Sequence, residues 1–338
     1  MKITIKDVAL QAGVSIATVS RVLNDKDRVK KTTRLKVEEA IRKLNFQPDH
    51  TARSMIMKET RTVGLIVPNL SNEYWGLLAE VIQDKLWEYG YSLIICSNNK
   101  NVEKEQAIIQ SFTVRRVDGI IFGSSSLFEG AHNNDALLEL SHSLHVVSIS
   151  PSIPGINSVI GDNLQGATDA VEHLIRLGHR HIAYIGGPTV SHERELGYRN
   201  ALMTHGIAPN EGLIFRGGDD MVQFSQFGYQ SMSSLLDSQK TYTAVFCGND
   251  LIAIGAIRAM EDRHIQVPGH ISVVGFDDIT TAALYKPSLT TVRQPIRELG
   301  NAAVDMVLEL IQNGDENHVP KKIVYQNQLV VRESSGPV

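Results

Sequence analysis

From Val63 onward, short apolar runs alternate with longer stretches whose apolar residues recur at helical spacing, and this alternation restricts the fold more than any other feature of the sequence. The runs fall into two sets. The first contains TVGLIVP, YSLIICS, DGIIFG and HVVSIS, and the second contains HIAYIGG, LIFRGG, TAVFCG and ISVVGF. Because strands that are buried on both faces are apolar throughout, such strands interleaved with helices predict two parallel, doubly wound α/β halves.

Polar and aromatic side chains stand where several of these runs end. In open parallel sheets a ligand binds beyond the carboxyl ends of the strands, and two facing halves form a cleft between them. An arginine beside carboxylates can bind a ring of hydroxyl groups, and aromatic faces can pack on sugar C–H groups or a base. Each residue alone would more often be a helix cap or a surface charge, but their shared position predicts a site for a small polar ligand. They are Asn69, Tyr74, Trp75, Asp162, Arg194, Asn249 and Asp277.

The first 61 residues differ from the rest of the chain in charge. They contain 14 of the 33 Lys and Arg residues but only 7 of the 37 Asp and Glu residues, so a basic segment precedes an acidic remainder. Such an asymmetry is typical of a protein in which only one part binds a polyanion. Charge alone leaves open a solvated module that binds nothing, so the motifs of the segment must decide.

Helix start and stop signals in this basic segment predict a helix–turn–helix. Thr4 and Asp7 have the spacing of a capping box, which places the start of a helix near Ile5. Gly13 can adopt the left-handed conformation that the turn requires. Ser15 then caps a second helix.

The second helix has two unlike faces. Val19, Val22 and Leu23 form a stripe toward a small core, which a third helix over about 32–44 completes. Small side chains on the opposite stripe permit close approach to the major groove, where an arginine can donate two hydrogen bonds to guanine. That stripe consists of Ile16, Ala17, Ser20, Arg21 and Asn24.

The opening stretch TIKDVALQAGVSIATVSRVLN closely resembles the helix–turn–helix of the LacI/GalR family of bacterial transcription regulators. Further matches follow in the order in which the family has them: FQPDHTARSM, VGLIVPNLSNEYW, VDGIIFGSS, GDNLQGATDAVEHLIRLGHRHIAYIGGP, RELGYRNAL, AVFCGNDLIAIGAIRAM, ISVVGFDDI and LTTVRQPIRELG. The resemblance implies an all-α helix-turn-helix head. A hinge helix would join this head to an α/β periplasmic-binding-protein-like body of two doubly wound parallel-sheet subdomains.

The resemblance also implies domain boundaries. The helix-turn-helix domain would cover residues 1–47, the hinge 48–61, and the effector-binding and dimerisation core 62–338. Within the core, the first subdomain is expected at about 62–160 plus 292–322, and the second at about 161–291 plus 323–338.

In such a family member the hinge packs against its dimer mate in the minor groove, and Met55 stands where the family has a wedging leucine. Asp49 and Lys30 replace an asparagine and a serine that are usual at these places in the family. The residues predicted to bind DNA are Thr4, Ser15, Ile16, Ala17, Thr18, Ser20, Arg21, Asn24, His50, Ala52, Arg53 and Met55.

The family's effector positions enlarge the set of cleft residues. Ser150 and Pro151 depart from the family, which often has an aspartate and an arginine after the fourth strand. Neither a metal nor a cofactor is predicted. The residues predicted to bind the effector are Asn69, Tyr74, Trp75, Ser124, Asp162, Arg194, Phe224, Asn249, Asp277 and Gln294.

We therefore expect a sequence-specific regulator, a repressor of a carbohydrate-utilisation operon, that binds a pseudo-palindromic double-stranded operator as a homodimer. Its effector would be a small molecule in the cleft: a sugar, a sugar phosphate or a sugar acid. One alternative is a global regulator that uses a protein co-repressor. Another is an exported sugar-binding protein, against which the basic head and the lack of a signal peptide count.

Catalysis and membrane insertion find no support in the sequence. It contains no GxSxG, GxxxxGK[ST] or HExxH motif, and His179 and His181 have no third metal ligand nearby. No run approaches the 18 or so apolar residues of a membrane helix. Cys96 and Cys247 lie inside apolar runs and are expected to be buried thiols of a reducing compartment, so we expect a cytoplasmic protein.

Overall fold

The computed structural model describes residues 3–23, 29–46, 59–123, 134–141, 144–149, 155–187, 191–217, 223–313 and 319–338. The chain divides into two compact units, residues 1–60 and 61–338, which we call the head and the body. Among the described residues, no helix is both long and apolar enough to cross a membrane.

The head consists of helices α1 (Ile5–Ala12), α2 (Ile16–Leu23) and α3 (Lys31–Leu44) around a small apolar core. Each helix contributes residues from one stripe to this core, because these apolar residues recur at helical spacing. Helix α3 begins at Lys31, one residue before its predicted start. The core residues are Val8, Ala9, Val19, Val22, Val37, Ala40 and Phe46.

The predicted start and end of α1 are confirmed. The Asp7 carboxylate accepts hydrogen bonds from the Thr4 backbone amide at 2.8 Å and from the Thr4 hydroxyl at 2.7 Å. Gly13 ends the helix with a φ of 66°, in the left-handed region where a side chain would be strained. The Thr18 amide then donates to the Ser15 hydroxyl at 3.2 Å, so Ser15 caps α2 as the sequence predicts.

In the described part of the body, the strands form two six-stranded sheets. The first sheet has the order β11-β5-β4-β3-β1-β2, and the second has the order β12-β10-β9-β8-β6-β7. The strands are β1 (Thr62–Val67), β2 (Ser92–Ser97), β3 (Gly119–Phe122), β4 (His145–Ser148), β5 (Asn157–Gly161), β6 (Ile182–Gly186), β7 (Ile214–Arg216), β8 (Ala244–Cys247), β9 (Ser272–Asp277), β10 (Thr290–Arg293), β11 (Lys322–Tyr325) and β12 (Gln328–Val330).

Among the described strands, pairing is parallel throughout the first sheet, and in the second sheet only the pair β10–β12 is antiparallel. The eight apolar runs of the sequence correspond to β1–β4 and β6–β9, so the predicted doubly wound halves are confirmed. The helices of the body are α4 (Glu73–Glu88), α5 (Val102–Arg115), α6 (Asn134–Ser141), α7 (Asn163–Arg176), α8 (Ser191–Thr204), α9 (Phe224–Asp237), α10 (Asp250–Glu261), α11 (Thr280–Leu284) and α12 (Ile296–Asn313).

The chain passes between the two halves after β5, after β10 and after β11. Strand β10 pairs with β9, with Val292 opposite Phe276, so Val292 and Arg293 belong to the second half rather than the first. Strand β11 pairs with β5, with Ile323 opposite Val159, so residues 323–325 belong to the first half rather than the second. These two boundaries depend on which strand each segment joins, which the hydrophobic pattern of the segment does not reveal.

Candidate functional sites in the head and the body

Helix α2 of the head exposes the stripe that the sequence predicts to face DNA. Ile16 is 45% exposed although it is apolar, and Ala17 and Arg21 are exposed as well. On the opposite side, Val19 and Val22 are buried in the core. An exposed isoleucine beside a small residue and an arginine is a surface that can enter a groove, because the small side chain permits close approach.

Hydroxyl groups flank this stripe and are held by local hydrogen bonds. Ser15 and Thr18 share a hydrogen bond of 2.9 Å between their hydroxyl groups, and the Thr4 hydroxyl donates to Asp7. These hydroxyls retain further hydrogen-bonding capacity, since a hydroxyl group has one donor hydrogen and two acceptor lone pairs. Ser20 is partly buried. The remaining predicted DNA-binding residues lie outside the described part of the chain: Asn24, His50, Ala52, Arg53 and Met55.

Four of the predicted effector residues form one continuous chain of hydrogen bonds in the body. The Tyr74 hydroxyl donates to Gln294 Oε1 at 3.2 Å, and Gln294 Nε2 donates to Asp277 Oδ1 at 2.7 Å. Arg194 Nη2 donates to the same Asp277 oxygen at 3.1 Å. This chain links α4 of the first half through the segment after β10 to β9 and α8 of the second half. All four residues are buried.

Arg194 is held from several sides, which fixes its guanidinium group. Its Nη1 donates to the carbonyl oxygen of Gly248, its Nη2 also lies 3.4 Å from Asn163 Oδ1, and its Cζ lies 3.8 Å above the ring of Phe276. Its Nε is buried and has no hydrogen-bond partner among the described residues. A buried guanidinium with a donor left over can bind a further acceptor, since an unpaired buried donor is costly.

Burial dominates the electrostatics of this chain of residues. It raises the pKa of the Asp277 carboxyl above its usual range, although the Arg194 guanidinium and the Gln294 amide act in the opposite direction. It also raises the pKa of the Tyr74 hydroxyl, to which the charge of Asp277 adds. The Asp277–Arg194 pair is therefore a charge pair in a poorly solvated place, where hydrogen bonds to an uncharged ligand are strong.

The backbone that carries Asp277 has a conformation that side chains rarely adopt. Asp277 has a φ of 111° and Asp278 a φ of 55°. The Asp278 carboxylate accepts from Arg293 Nε and from Arg332 Nη2, each at 2.6 Å. The Ile279 amide donates to Asp250 Oδ2 at 2.9 Å. These contacts fix the turn, because a strained backbone persists only where its surroundings hold it.

Asp250 is a second buried carboxyl below this turn. Burial and the neighbouring charge of Asp277 raise its pKa well above the usual range, while hydrogen bonds from the Thr291 hydroxyl and the Ile279 amide lower it. Gly275 lies so close that a Cβ there would be 2.3 Å from Asp250 Oδ1. The Thr291 hydroxyl donates to Asp250 Oδ1 in the structure, and a neutral Asp250 carboxyl would reverse this hydrogen bond while still accepting from the Ile279 amide.

Other predicted effector residues have structural partners. Asn69 Oδ1 accepts from the Asn72 amide at 2.9 Å, whereas its buried Nδ2 has no hydrogen-bond partner among the described residues. Trp75 is buried against Gly123, where a Cβ would lie 2.6 Å from its ring. Phe224 is partly buried at the start of α9 and packs on the apolar core. Ser124 lies outside the described residues.

Asp162 and Asn249 both act as helix caps. Asp162 accepts from the Gln165 amide at 3.0 Å at the start of α7, and Asn249 accepts from the Ile252 amide at 2.8 Å at the start of α10. One oxygen of each side chain therefore has the structural role of a helix cap. The other polar atoms of the two side chains are not used in capping.

The sequence does not single out two further buried polar residues, one of which contacts Arg194 while the other lies near Gln294. Asn163 directly follows Asp162, and its buried side chain contacts Arg194. Asn327, between β11 and β12, has buried amide nitrogen and oxygen atoms without partners among the described residues, and its oxygen would lie 2.6 Å from a Cβ at Gly161. A polar residue on each segment that connects the two halves is a pattern that could have revealed them.

His179, for which the sequence predicts a structural role rather than metal binding, is buried in a hydrogen-bonded cluster. Its Nδ1 lies 2.8 Å from the Thr243 hydroxyl, and its Nε2 lies 3.1 Å from the Ser272 hydroxyl and 3.0 Å from the Gly336 carbonyl oxygen. It therefore fastens the C-terminal residues to the second sheet. Burial lowers its pKa, which favours the neutral ring.

Comparison with known proteins shows which families the two parts of the chain resemble. Residues 4–49 match the family model described as bacterial regulatory proteins, lacI family, and residues 171–335 match the periplasmic binding protein-like domain. The HTH-type transcriptional regulator RegA of Clostridium saccharobutylicum is 35% identical over 343 residues, which cover 99% of this chain and 100% of RegA. The chain belongs to the LacI family.

Solved structures of LacI-family regulators share the same fold over nearly the whole chain. The lac repressor dimer bound to operator and the anti-inducer ONPF has a TM-score of 0.88 and 30% identity, with coverage of 99% of this chain and 100% of that one. The transcriptional regulator CelR in complex with cellobiose has a TM-score of 0.71 and 28% identity, with coverage of 98% and 100%. The chain is therefore a LacI-family regulatory protein and not an enzyme, and the predicted fold class is confirmed.

Proposed function

We propose that this LacI-family chain is a transcriptional repressor that binds a two-fold symmetric operator as a homodimer and responds to a sugar held in the cleft of its body. The observation that carries the proposal is the buried chain Tyr74–Gln294–Asp277–Arg194, which links the two halves. It ends in a guanidinium whose Nε has no hydrogen-bond partner among the described residues. A ligand that contacts this chain from the cleft touches both halves at once. It can therefore change how the halves lie relative to each other.

We further propose that the effector is an uncharged sugar rather than a sugar phosphate or a sugar acid. Arg194 already shares its charge with Asp277, so the pair presents donors and acceptors but no net charge. The segments of the body that lie outside the described residues contain no Lys or Arg and so add no cation. Paired donors and acceptors around a fixed guanidinium suit vicinal hydroxyl groups. The cellobiose complex of CelR, which shares the fold, agrees with this class of ligand.

For the head, we propose that the exposed stripe of α2 reads base edges in the major groove. The support is its exposed arginine and isoleucine, together with the excess of Lys and Arg in the first 61 residues. The lac repressor dimer with the same fold is bound to operator. A protein that binds chromosomal DNA acts in the cytoplasm of a bacterium, which is where we place this chain.

Thermal unfolding of the full-length protein tests the effector class. Each neutral mono- or disaccharide is compared with its own 6-phosphate and with its aldonic or uronic acid, so that only the charge differs. A ligand at one hundred times its Kd stabilises the native state by about 2.7 kcal/mol, which the unfolding midpoint reports. We expect stabilisation by a neutral sugar and none by its charged forms. Stabilisation only by a phosphate, an acid or a purine contradicts the proposal.

Selection of bound fragments from random DNA tests the operator. A dimer with two heads should enrich an inverted repeat, because the two-fold axis of the protein is repeated in its site. A single half-site or no enriched sequence contradicts the dimeric, sequence-specific mode. Adding the stabilising sugar to the selection then shows whether the effector weakens or strengthens binding.

A further inference from the structure

Helix α4 of the first half reaches α11 of the second half through a single carboxylate. Glu73, in the first turn of α4, accepts from the Thr280 amide at 2.9 Å with one oxygen. With its other oxygen it accepts from the Thr281 amide at 3.3 Å and from the Thr281 hydroxyl at 2.9 Å. We call this group of three hydrogen bonds the Glu73 bridge.

The Glu73 bridge supplies a cap that α11 lacks in its own sequence. The first amides of a helix have no partner within the helix and are usually satisfied by a side chain of the N-cap residue. The N-cap residue of α11 is Ile279, which has no side chain able to accept a hydrogen bond. A negative charge at this helix end is favourable as well, because the amides there carry partial positive charge.

The bridge also acts on the turn that presents Asp277. Asp278, Ile279 and Thr280 follow one another in the chain, and each is fixed by a different partner: two arginines, Asp250 and Glu73. Of these partners, only Glu73 belongs to the first half. Any movement that separates the halves must break its hydrogen bonds, whereas Asp250, Arg293 and Arg332 move with the turn.

We propose that Glu73 is a built-in latch, which holds the two halves together without ligand and thereby sets the affinity of the cleft. Its regulatory meaning rests on the proposed sugar site, because a ligand that contacts both halves binds only when they are together. The observed affinity is then the intrinsic affinity multiplied by the fraction of molecules in that arrangement. A chain with the latch needs less ligand to reach the arrangement seen here than a chain without it.

The test measures the separation of the halves in the full-length protein with no ligand present. Spin labels are attached to cysteines introduced at Gln110 on α5 and Gln230 on α9, both of which are exposed, after Cys96→Ser and Cys247→Ala substitutions. Labelled subunits are diluted into unlabelled ones so that only distances within a chain are recorded. The variants are Glu73→Ala, Glu73→Gln, Thr281→Val and the double variant Glu73→Ala/Thr281→Val.

We expect Glu73→Ala to increase the ratio of the longer to the shorter distance about tenfold, as the loss of charge-assisted hydrogen bonds implies. Thr281→Val removes one of the three hydrogen bonds and should shift the ratio less. In the Glu73→Ala background, Thr281→Val should add nothing, because its partner is already absent. The matched control is Glu103→Ala, which removes an exposed acidic residue from the first turn of α5 in the same half.

Several results overturn the latch. They are an unchanged distance distribution in Glu73→Ala, a wild-type protein that already shows mainly the longer distance, and effects of Glu73→Ala and Thr281→Val that simply add. Glu73→Gln keeps the size of the side chain but only one acceptor oxygen, so it should shift the ratio in the same direction by a smaller amount, which provides a second test if the alanine variant folds poorly. Because no ligand is added, the failure of sugars to bind would refute the proposed function and leave the latch measurement unaffected.

Discussion

Arg194 and Asp277 are 83 residues apart in the chain, yet they form an ion pair of 3.1 Å in which each side chain is only 6% exposed. The pair costs desolvation, which the hydrogen bonds of Gln294 and Gly248 help to offset. An ion pair kept in so poorly solvated a place is typical of a functional site rather than of a device for stability alone.

Substitutions of this pair separate its effect on stability from its effect on ligand binding. Arg194→Met leaves the Asp277 carboxyl buried without its cation and should lower the free energy of unfolding by about 3–5 kcal/mol. The double variant Arg194→Met/Asp277→Asn should recover much of that loss, since the unpaired charge is gone. Denaturant unfolding measures the free energy of unfolding of both variants. Neither variant should respond to the sugar that stabilises the wild type, whereas both should still bind operator DNA, because cleft and head are separate sites.

A response to ligand at wild-type concentrations in the double variant would show that the pair is structural only. Loss of operator binding in the double variant, with its stability recovered, would show instead that the pair acts on the head. Asp84→Asn, an exposed change on α4 of the other half, is the control for nonspecific effects of substitution.

The pH dependence of stability should reveal the buried carboxyl of Asp250. Its pKa in the native state is raised well above that of an unfolded aspartate, which is about 4. Between these two values the native state binds the additional proton, so this group makes the protein less stable as pH rises. Asp250→Asn mimics the protonated carboxyl and keeps an acceptor for Ile279 and a donor for Thr291.

We therefore expect Asp250→Asn to lose less stability than the wild type as pH rises from about 4 to 8, which denaturant midpoints at a series of pH values will show. Asp250→Ala should be destabilised at every pH, since it leaves the Ile279 amide unpaired. The idea is wrong if Asp250→Asn and the exposed control Asp84→Asn give the same pH profile as the wild type.

The sequence predicts those parts of the fold in which one local pattern decides the structure. The strands β1–β4 and β6–β9 consist mainly of apolar residues, and the turn at Gly13 needs only a left-handed conformation that glycine adopts readily. The strands β10 and β11 are short and partly polar, so only their pairing with β9 and β5 assigns each to a half of the body. That information lies in tertiary contacts.

The same distinction applies to the cleft. Arg194 and Asp277 are predictable because an arginine and a strand-end aspartate are unusual in buried surroundings. Asn163, which contacts Arg194, is not predictable in this way. Its neighbour Asp162 has the more conspicuous position at the strand end, and the start of the helix decides which of the two side chains is buried. Trp75 is conspicuous in the sequence as well, and its ring is buried against Gly123, so its contact with an effector stays a prediction.

The exposed stripe of α2 leads to a prediction about base recognition. Arg21→Ala should weaken binding to the selected operator by about 1–3 kcal/mol and remove the preference for one guanine in each half-site. Titration of labelled operators that carry each base at each position measures both effects. Arg42→Ala, an exposed arginine in the last turn of α3, should leave the base preferences unchanged. Equal losses on operator and random DNA would make Arg21 a phosphate contact instead.

The hinge gives the last prediction, which concerns residues outside the described part of the chain. Residues 49–57 follow Pro48 and are too few to form a stable helix alone, since isolated helices shorter than about 12 residues are marginal in water. We expect them to become ordered only on operator DNA. Hydrogen exchange of this segment should therefore be fast in the free protein and slow in the complex. Protection that is already high without DNA would contradict a folding hinge.

Two Met55 side chains at the dyad would wedge one base step, most easily a pyrimidine–purine step, which is the easiest to unstack. Met55→Gly should remove the DNA bend and much of the specificity, whereas Met55→Leu should preserve both, because leucine retains an apolar wedge. Met57→Gly weakens the same short helix without removing the wedge, so it should reduce affinity and leave the bend. Bend angles of the three complexes decide the matter. A bend that persists in Met55→Gly, or disappears equally in Met57→Gly, would mean that Met55 does not act as the wedge.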